Sequence, residues 1–262
     1  AVVDVLKSDF LTQGPAVPAF EAAIAARCGA SYAIAVNSAT SALHIACLSL
    51  DVGAGDIVWT SPITFVASAN CARYCGASVD FVDIDPLTFN MCPVRLKVKL
   101  EEAEANNRLP KVVIPVHMTG QPCDMAVIHD LAKTYGFKII EDASHAVGAR
   151  YGDSSIGDCA YSDITVFSFH PVKIITTGEG GMATTQDAVL AQKMEVLRSH
   201  GITRNREAWA QQDPGAWYYE QQLLGYNYRM TDMQAALGCS QAVHLGDWLA
   251  RRHQIADRYD RS

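Results

Sequence analysis

Met125-Ala126-Val127-Ile128-His129-Asp130-Leu131-Ala132-Lys133-Thr134-Tyr135-Gly136-Phe137-Lys138-Ile139-Ile140-Glu141-Asp142 is the stretch whose reading decides the fold. A helical pattern over Met125–Tyr135 meets Gly136, the residue type that most readily ends a helix. Lys138–Glu141 then reads as a short buried strand, and Asp142 stands at its mouth. The stretch is one helix-to-strand unit.

The same unit recurs on either side. Strands are expected at Tyr32–Val36, Ile57–Thr60, Ser78–Val82, Val112–Pro115 and Ile164–Ser168. Helices are expected between them at Thr40–Leu50, Val66–Tyr74 and Val94–Ala105, with Gly53, Gly55 and Gly76 at the turns. Strands that are apolar throughout and separated by helices imply an α/β fold, a mostly parallel central sheet flanked by helices on both faces.

Beyond Ser168 the pattern changes. Thr177-Gly178-Glu179-Gly180-Gly181 leads into an expected strand, Met182–Thr185, and Asp187 can cap a helix to about Ser199. The segment Thr203–Leu224 carries little periodicity and several aromatics, so a long loop is expected there. Thr231 can cap a helix over Asp232–Gln241, and Leu245–Tyr259 is again helical in pattern.

Bulk properties narrow the classes of function. The chain has 262 residues, 49% hydrophobic, enough for one large domain with a sizeable core. Its 21 basic and 28 acidic residues give a net charge of −7, without a Lys/Arg run, which disfavours nucleic acid and anionic membrane as partners. No stretch reaches the roughly 18 apolar residues of a membrane span, and no secretion signal opens the chain. Eight cysteines lack a C-x-x-C pair and read as reduced core residues of a cytoplasmic protein. The eight histidines are scattered and suggest no metal site.

In parallel α/β sheets ligands bind at the carboxyl ends of the strands. Three polar segments stand there. Asn37-Ser38-Ala39-Thr40 joins a strand to a helix; the free amides of a first helical turn suit a phosphate, although Ser38 or Thr40 could equally be an ordinary cap. Asp142 could cap a helix, hold a metal or pair with a protonated pyridine nitrogen, and His145 could be a hydrogen-bonded structural histidine. Lys173 lies between Pro171-Val172 and Ile174-Ile175. An apolar pocket would lower its pKa and make it an amine nucleophile. A phosphate cradle, a carboxylate and a poised lysine together are what pyridoxal 5′-phosphate (PLP) demands.

Ser8-Asp9-Phe10-Leu11-Thr12-Gln13-Gly14-Pro15, Ser61-Pro62-Ile63-Thr64-Phe65, Glu141-Asp142-Ala143-Ser144-His145, Ser168 through Gly181, and Gly225-Tyr226-Asn227-Tyr228-Arg229-Met230 resemble the motifs of the DegT/DnrJ/EryC1/StrS sugar aminotransferases. The resemblance runs over nearly the whole chain. It implies the large domain of a PLP-dependent, aspartate-aminotransferase-like fold over 1–242. Residues 243–262 would start the helix leading to a small C-terminal domain that lies outside this sequence. It also implies roles. Lys173 forms the Schiff base and Asp142 pairs with the ring nitrogen. Ala39, Thr40 and Ser168 hold the phosphate, Phe65 stacks on the ring, and His145 lies near the ring hydroxyl. Asn227 reaches the phosphate of a neighbouring subunit in a homodimer. The implied reaction moves an amino group from glutamate to a nucleotide-linked 4-keto-6-deoxy sugar, most simply a UDP-linked N-acetylated one.

Two other readings compete. Some relatives are PLP-dependent keto-sugar dehydratases, which carry histidine in place of the lysine; Lys173 argues against that. A non-catalytic binding or regulatory protein of the same fold is the other. The chain shows no G-x-x-x-x-G-K-[ST] loop and no H-E-x-x-H helix.

Overall fold

The structure, a computed structural model, describes residues 1–210, 215 and 217–262. In chain order the helices are α1 (Val2–Leu6), α2 (Ala16–Cys28), α3 (Ala39–Ser49), α4 (Ala67–Tyr74), α5 (Pro93–Ala105), α6 (Met125–Tyr135), α7 (Ala188–Arg198) and α8 (Asp232–Asp260). The strands are β1 (Tyr32–Val36), β2 (Ile57–Thr60), β3 (Ser78–Phe81), β4 (Val112–Ile114), β5 (Lys138–Asp142), β6 (Arg150–Tyr151), β7 (Ser154–Ser155), β8 (Ile164–Ser168), β9 (Gly181–Thr185), β10 (Ile202–Thr203) and β11 (Glu220–Gln221).

Seven strands make one sheet in the order β1-β9-β8-β5-β4-β2-β3. From β8 to β3 all neighbours are parallel. β9 is the exception: it runs antiparallel between β8 and β1. The connection from Ser168 to Gly181 contains no crossover helix, and a strand that returns directly beside its predecessor must run the other way. β6–β7 and β10–β11 are small antiparallel ribbons.

Period-two alternation divides the core between the two faces of the sheet. Ile34, Val36, Val58, Val112, Ile114, Ile140, Val166 and Ala183 pack with α3, α4 and α7. Their strand neighbours face the other way. Trp59, Val113 and Ile139 meet α5 and α6, while Ala35, Phe167 and Met182 meet α2 and α8. Burial on both faces is why these strands read as unbroken apolar runs.

Caps mark the helix ends. The Ser38 side chain accepts the Ser41 amide at the start of α3, and Asp187 accepts from Val189 and Leu190 at the start of α7. Gly29 and Gly136, at φ 82° and 78°, take the left-handed conformation that ends α2 and α6. Thr231 and Gln234 form a reciprocal capping box on α8.

Besides the short α1, β6, β7, β10 and β11, two long helices differ from the sequence-based expectation. α2 was not anticipated, because its run Ala-Val-Pro-Ala-Phe-Glu-Ala-Ala-Ile-Ala-Ala-Arg-Cys is rich in alanine and its stripe of Phe20, Ile24 and Cys28 is faint. α8 is continuous over 29 residues, through Gly238 and Gly246, where two helices were expected. A Cβ on Gly238 would come within 2.7 Å of the Phe20 ring, so that glycine admits α2 against α8 and does not break the helix. The expected boundary between residues 242 and 243 falls inside α8. The expected loop over 203–224 lies partly outside the described residues; its described part carries β11, a short 3-10 turn at Arg206–Ala208 and the end of β10. No described helix is long and apolar enough to cross a membrane. All eight cysteines are free.

Candidate active site

A cavity of about 400 Å³ opens at the carboxyl ends of β5 and β8. Ala39, Thr40, Phe65, Asp142, His145, Ser168 and Lys173 all line it. These are seven of the eight candidate residues.

One wall is the start of α3. The Ser38 hydroxyl and carbonyl accept the Ser41 and Ala42 amides. Among the described residues no acceptor meets the amide hydrogens of Ala39 and Thr40, which are the orphan donors of a first turn. Gly181 backs this turn: a Cβ there would lie 2.4 Å from the Ala39 nitrogen and 2.5 Å from the Ser38 carbonyl. The absent side chain lets β9 press against the turn.

The floor is Asp142, only 4% exposed. Its Oδ1 accepts the Ser144 amide at 3.1 Å and its Oδ2 accepts the Ser68 hydroxyl at 2.6 Å. The strand pleat turns the preceding Glu141 to the opposite face. There it accepts His117 Nε2 at 2.6 Å, with Ser162 and Thr165 on its other oxygen. His117 Nδ1 accepts the Cys123 amide, so the ring proton faces Glu141. Burial opposes the charge on Glu141, but these donors outweigh it and hold the carboxyl below its ordinary range.

Lys173 stands on the β8-to-β9 connection, its amide bonded to the His170 carbonyl. Burial lowers the pKa of its amine, while the nearby Asp142 carboxylate pulls the other way. His145 is lowered too, first by burial, then by Lys173, with Asp142 opposing. Its Nδ1 accepts the Thr119 amide at 3.3 Å. Ser168, 8% exposed, ends β8 opposite Gly181 in register. Phe65 stands at the cavity wall and is 71% exposed.

Asn227 is not in this cavity. It is exposed, its backbone bridges Ser199, and its carbonyl accepts Asn37 Nδ2 at 3.3 Å. Among the described residues its side chain has no hydrogen-bond partner. Two residues that sequence reasoning did not single out stand beside Asp142: Ser68, and Thr64, whose Oγ1 lies 2.9 Å from Ser68 Oγ. Sequence spacing gave little signal, since Thr64 precedes the helix that carries Ser68. Among the described residues no group of histidines, cysteines and carboxylates could hold a metal ion.

Known proteins share this arrangement of sequence and fold. The chain is 45% identical over 259 residues to the spore coat polysaccharide biosynthesis protein SpsC of Bacillus subtilis, covering 98% of this chain and 64% of that protein. It is 42% identical to the GDP-perosamine synthase of Caulobacter vibrioides, covering 92% and 60%. The UDP-4-amino-4,6-dideoxy-N-acetyl-beta-L-altrosamine transaminase of Campylobacter jejuni is 40% identical, with 98% and 64% covered. Among solved structures, Helicobacter pylori PseC, an aminotransferase involved in the biosynthesis of pseudoaminic acid, superposes with a TM-score of 0.88 at 32% identity, over 99% of this chain and 66% of that one. The chain thus spans less than two thirds of the length of the first of these relatives. Residues 1–262 match the DegT/DnrJ/EryC1/StrS aminotransferase family over their whole extent, and the chain belongs to that family.

Proposed function

We propose that this chain carries the cofactor-binding part of a PLP-dependent aminotransferase. Its reaction moves an amino group from glutamate to a nucleotide-linked 4-keto-6-deoxy sugar. One observation carries the reading: Lys173, Asp142 and the partnerless amides of Ala39 and Thr40 face a single cavity. An amine, a carboxylate and an anion cradle are the donor set that PLP requires, and the Gly181 contact keeps the cradle open to a phosphate.

When bound, PLP supplies an aldehyde and an electron-accepting ring. The chain's own residues do the rest. Ala39 and Thr40 offer amide hydrogens to the phosphate at the positive end of α3, with the Ser168 hydroxyl beside them. The buried Asp142 carboxylate would hold a proton on the ring nitrogen. His145 and Phe65, both on the cavity wall, would serve the ring hydroxyl and one ring face. Lys173 binds the cofactor through its amine, which burial keeps more readily neutral than an ordinary lysine. Its free amine would act as the general base that moves a proton at the donor's α-carbon. Asn227 serves the phosphate site of a neighbouring subunit in a homodimer; its exposure and its unpaired side chain support this.

The relatives support a nucleotide-sugar acceptor. They include one named for a GDP-linked and one for a UDP-linked product, and a UDP-linked N-acetylated keto sugar is our choice. Other solved relatives from Streptococcus pneumoniae are described in PLP and PMP forms, which supports the cofactor. Eight free cysteines, five of them buried, support a reducing, cytoplasmic setting. Lys173 in the cavity favours amino transfer over the dehydratase reading. Protein loaded with PLP is expected to be yellow and to lose that band on adding glutamate. A band that glutamate leaves unchanged overturns the aminotransferase reading.

A further inference from the structure

Ser68 sits in the first turn of α4 and is fully buried. Its hydroxyl has three neighbours: Asp142 Oδ2 at 2.6 Å, Thr64 Oγ1 at 2.9 Å and the Phe65 carbonyl at 3.3 Å. A hydroxyl has one proton to give. The ionised carboxylate is the strongest acceptor of the three, and 2.6 Å is the length of a charge-assisted O–H···O⁻ bond. The proton therefore goes to Asp142. Ser68 Oγ can then only accept from Thr64, so the Thr64 hydroxyl, on the cavity wall, points its hydrogen inward. The result is a directed chain, Thr64 to Ser68 to Asp142. With the Ser144 amide on Oδ1, each carboxylate oxygen has a fixed donor and the carboxylate plane cannot turn.

We propose that Ser68 is a positioning residue for Asp142, oriented in turn by Thr64, and that its hydroxyl sets how firmly the cofactor's ring nitrogen keeps its proton. The inference rests on the PLP reading above. A donor to Oδ2 stabilises the ionised carboxylate. Without it Oδ2 loses the donor that fixes its direction, and the carboxylate would hold the ring nitrogen's proton less firmly. Lys173 and His145 feel the Asp142 carboxylate across this site, so a change at Asp142 reaches both, while His170 and Glu179 line the cavity farther along the wall and make no hydrogen bond to Ser68.

The test uses the chain loaded with PLP labelled with ¹⁵N in the ring, whose chemical shift reports protonation of that nitrogen. Ser68→Ala is expected to lower the protonated fraction, and to weaken PLP binding about tenfold or more, the usual loss for a hydrogen bond to a charged group. Ser68→Thr keeps the hydroxyl and is expected to restore both. Thr64→Val is expected to move both in the same direction by less. In an Asp142→Asn background, Ser68→Ala is expected to cost little further binding, because its effect runs through the carboxylate. Should Ser68→Ala load too little cofactor for the spectrum, Ser68→Cys, a weaker donor of similar size, is expected to show the same change in smaller measure. An unchanged ring-nitrogen signal in Ser68→Ala, or an equal loss of PLP in both backgrounds, overturns the proposal while leaving the cofactor reading intact. A wild-type chain that takes up no PLP overturns the reading itself and the proposal with it.

Discussion

Two regions of this molecule bear the candidate residues, and they are built differently. Ala39, Asp142, Ser168 and Lys173 hang from the ends of strands of the main sheet or the turns that follow them. Sheet register fixes their backbones and the core fixes their surroundings. Asn227 belongs to a stretch after α7 that runs along the protein's edge, pairs briefly with Ser199, and leaves aromatics such as Trp217 exposed. The first region is finished within one chain. The second presents a polar side chain with nothing to meet. A site assembled from both halves would need a second copy of the chain, which is the physical content of the homodimer in our reading.

That contrast can be broken. The largest effect is expected from Lys173→Ala, which removes the amine: amino transfer should fall at least about 10⁴-fold, the upper range for acid–base groups, while the melting temperature stays near wild type. A variant that keeps turning over removes Lys173 from the first region. Gly181→Ala comes next. Its Cβ meets the Ser38–Ala39 backbone, so the turn must shift; a stability loss of about 1–3 kcal/mol is expected, together with weaker PLP binding, both measurable by thermal unfolding with and without PLP. Unaltered PLP affinity in that variant would show the α3 turn to be an ordinary cap.

Asn227→Ala is expected to cost about tenfold in PLP affinity, as for one hydrogen bond to a charged group. Its sharper form is a mixing experiment. Lys173→Ala and Asn227→Ala chains, each impaired alone, should regain activity when co-assembled, because one site of the mixed dimer has both residues intact. No recovery would return Asn227 to a role within its own chain. The smallest effect concerns pH. Burial lowers the Lys173 pKa, so the rate of PLP attachment should rise with pH and level off below the ordinary lysine value of 10.5. A profile still rising through that value would mean that the amine is solvated like a surface lysine.

Much of the sheet was legible because its strands are buried on both faces. Apolar runs such as Ile164–Ser168 stand out between helical segments, and β1, β2 and β8 fall where the sequence places them. What was not legible is relational. Nothing in Met182–Thr185 says that the strand runs antiparallel, or that it inserts between β8 and β1. That follows from the short return after Ser168, visible only once the partners are known. α2 escaped because alanine is apolar on every face. α8 looked divided because a glycine in a helix signals a break unless another helix must come close. At the site, the motifs pointed to residues that face a ligand. They were silent on Ser68, whose importance lies in a bond to Asp142 across 74 positions of sequence.

The insertion of β9 has a consequence for how the protein is made. Among the described residues β1 is an edge strand of the sheet, paired with β9 and touched on its other side by a single bridge from Arg229, and the turn at Ala39 rests directly on Gly181. During synthesis, residues 32–40 leave the ribosome well over a hundred residues before their partner exists. The turn at Ala39 therefore cannot take its final place beside the sheet until residues 181–185 have emerged and slid in next to β8. Lys173 emerges just ahead of them, so the lysine and this turn take up their places in the same late step.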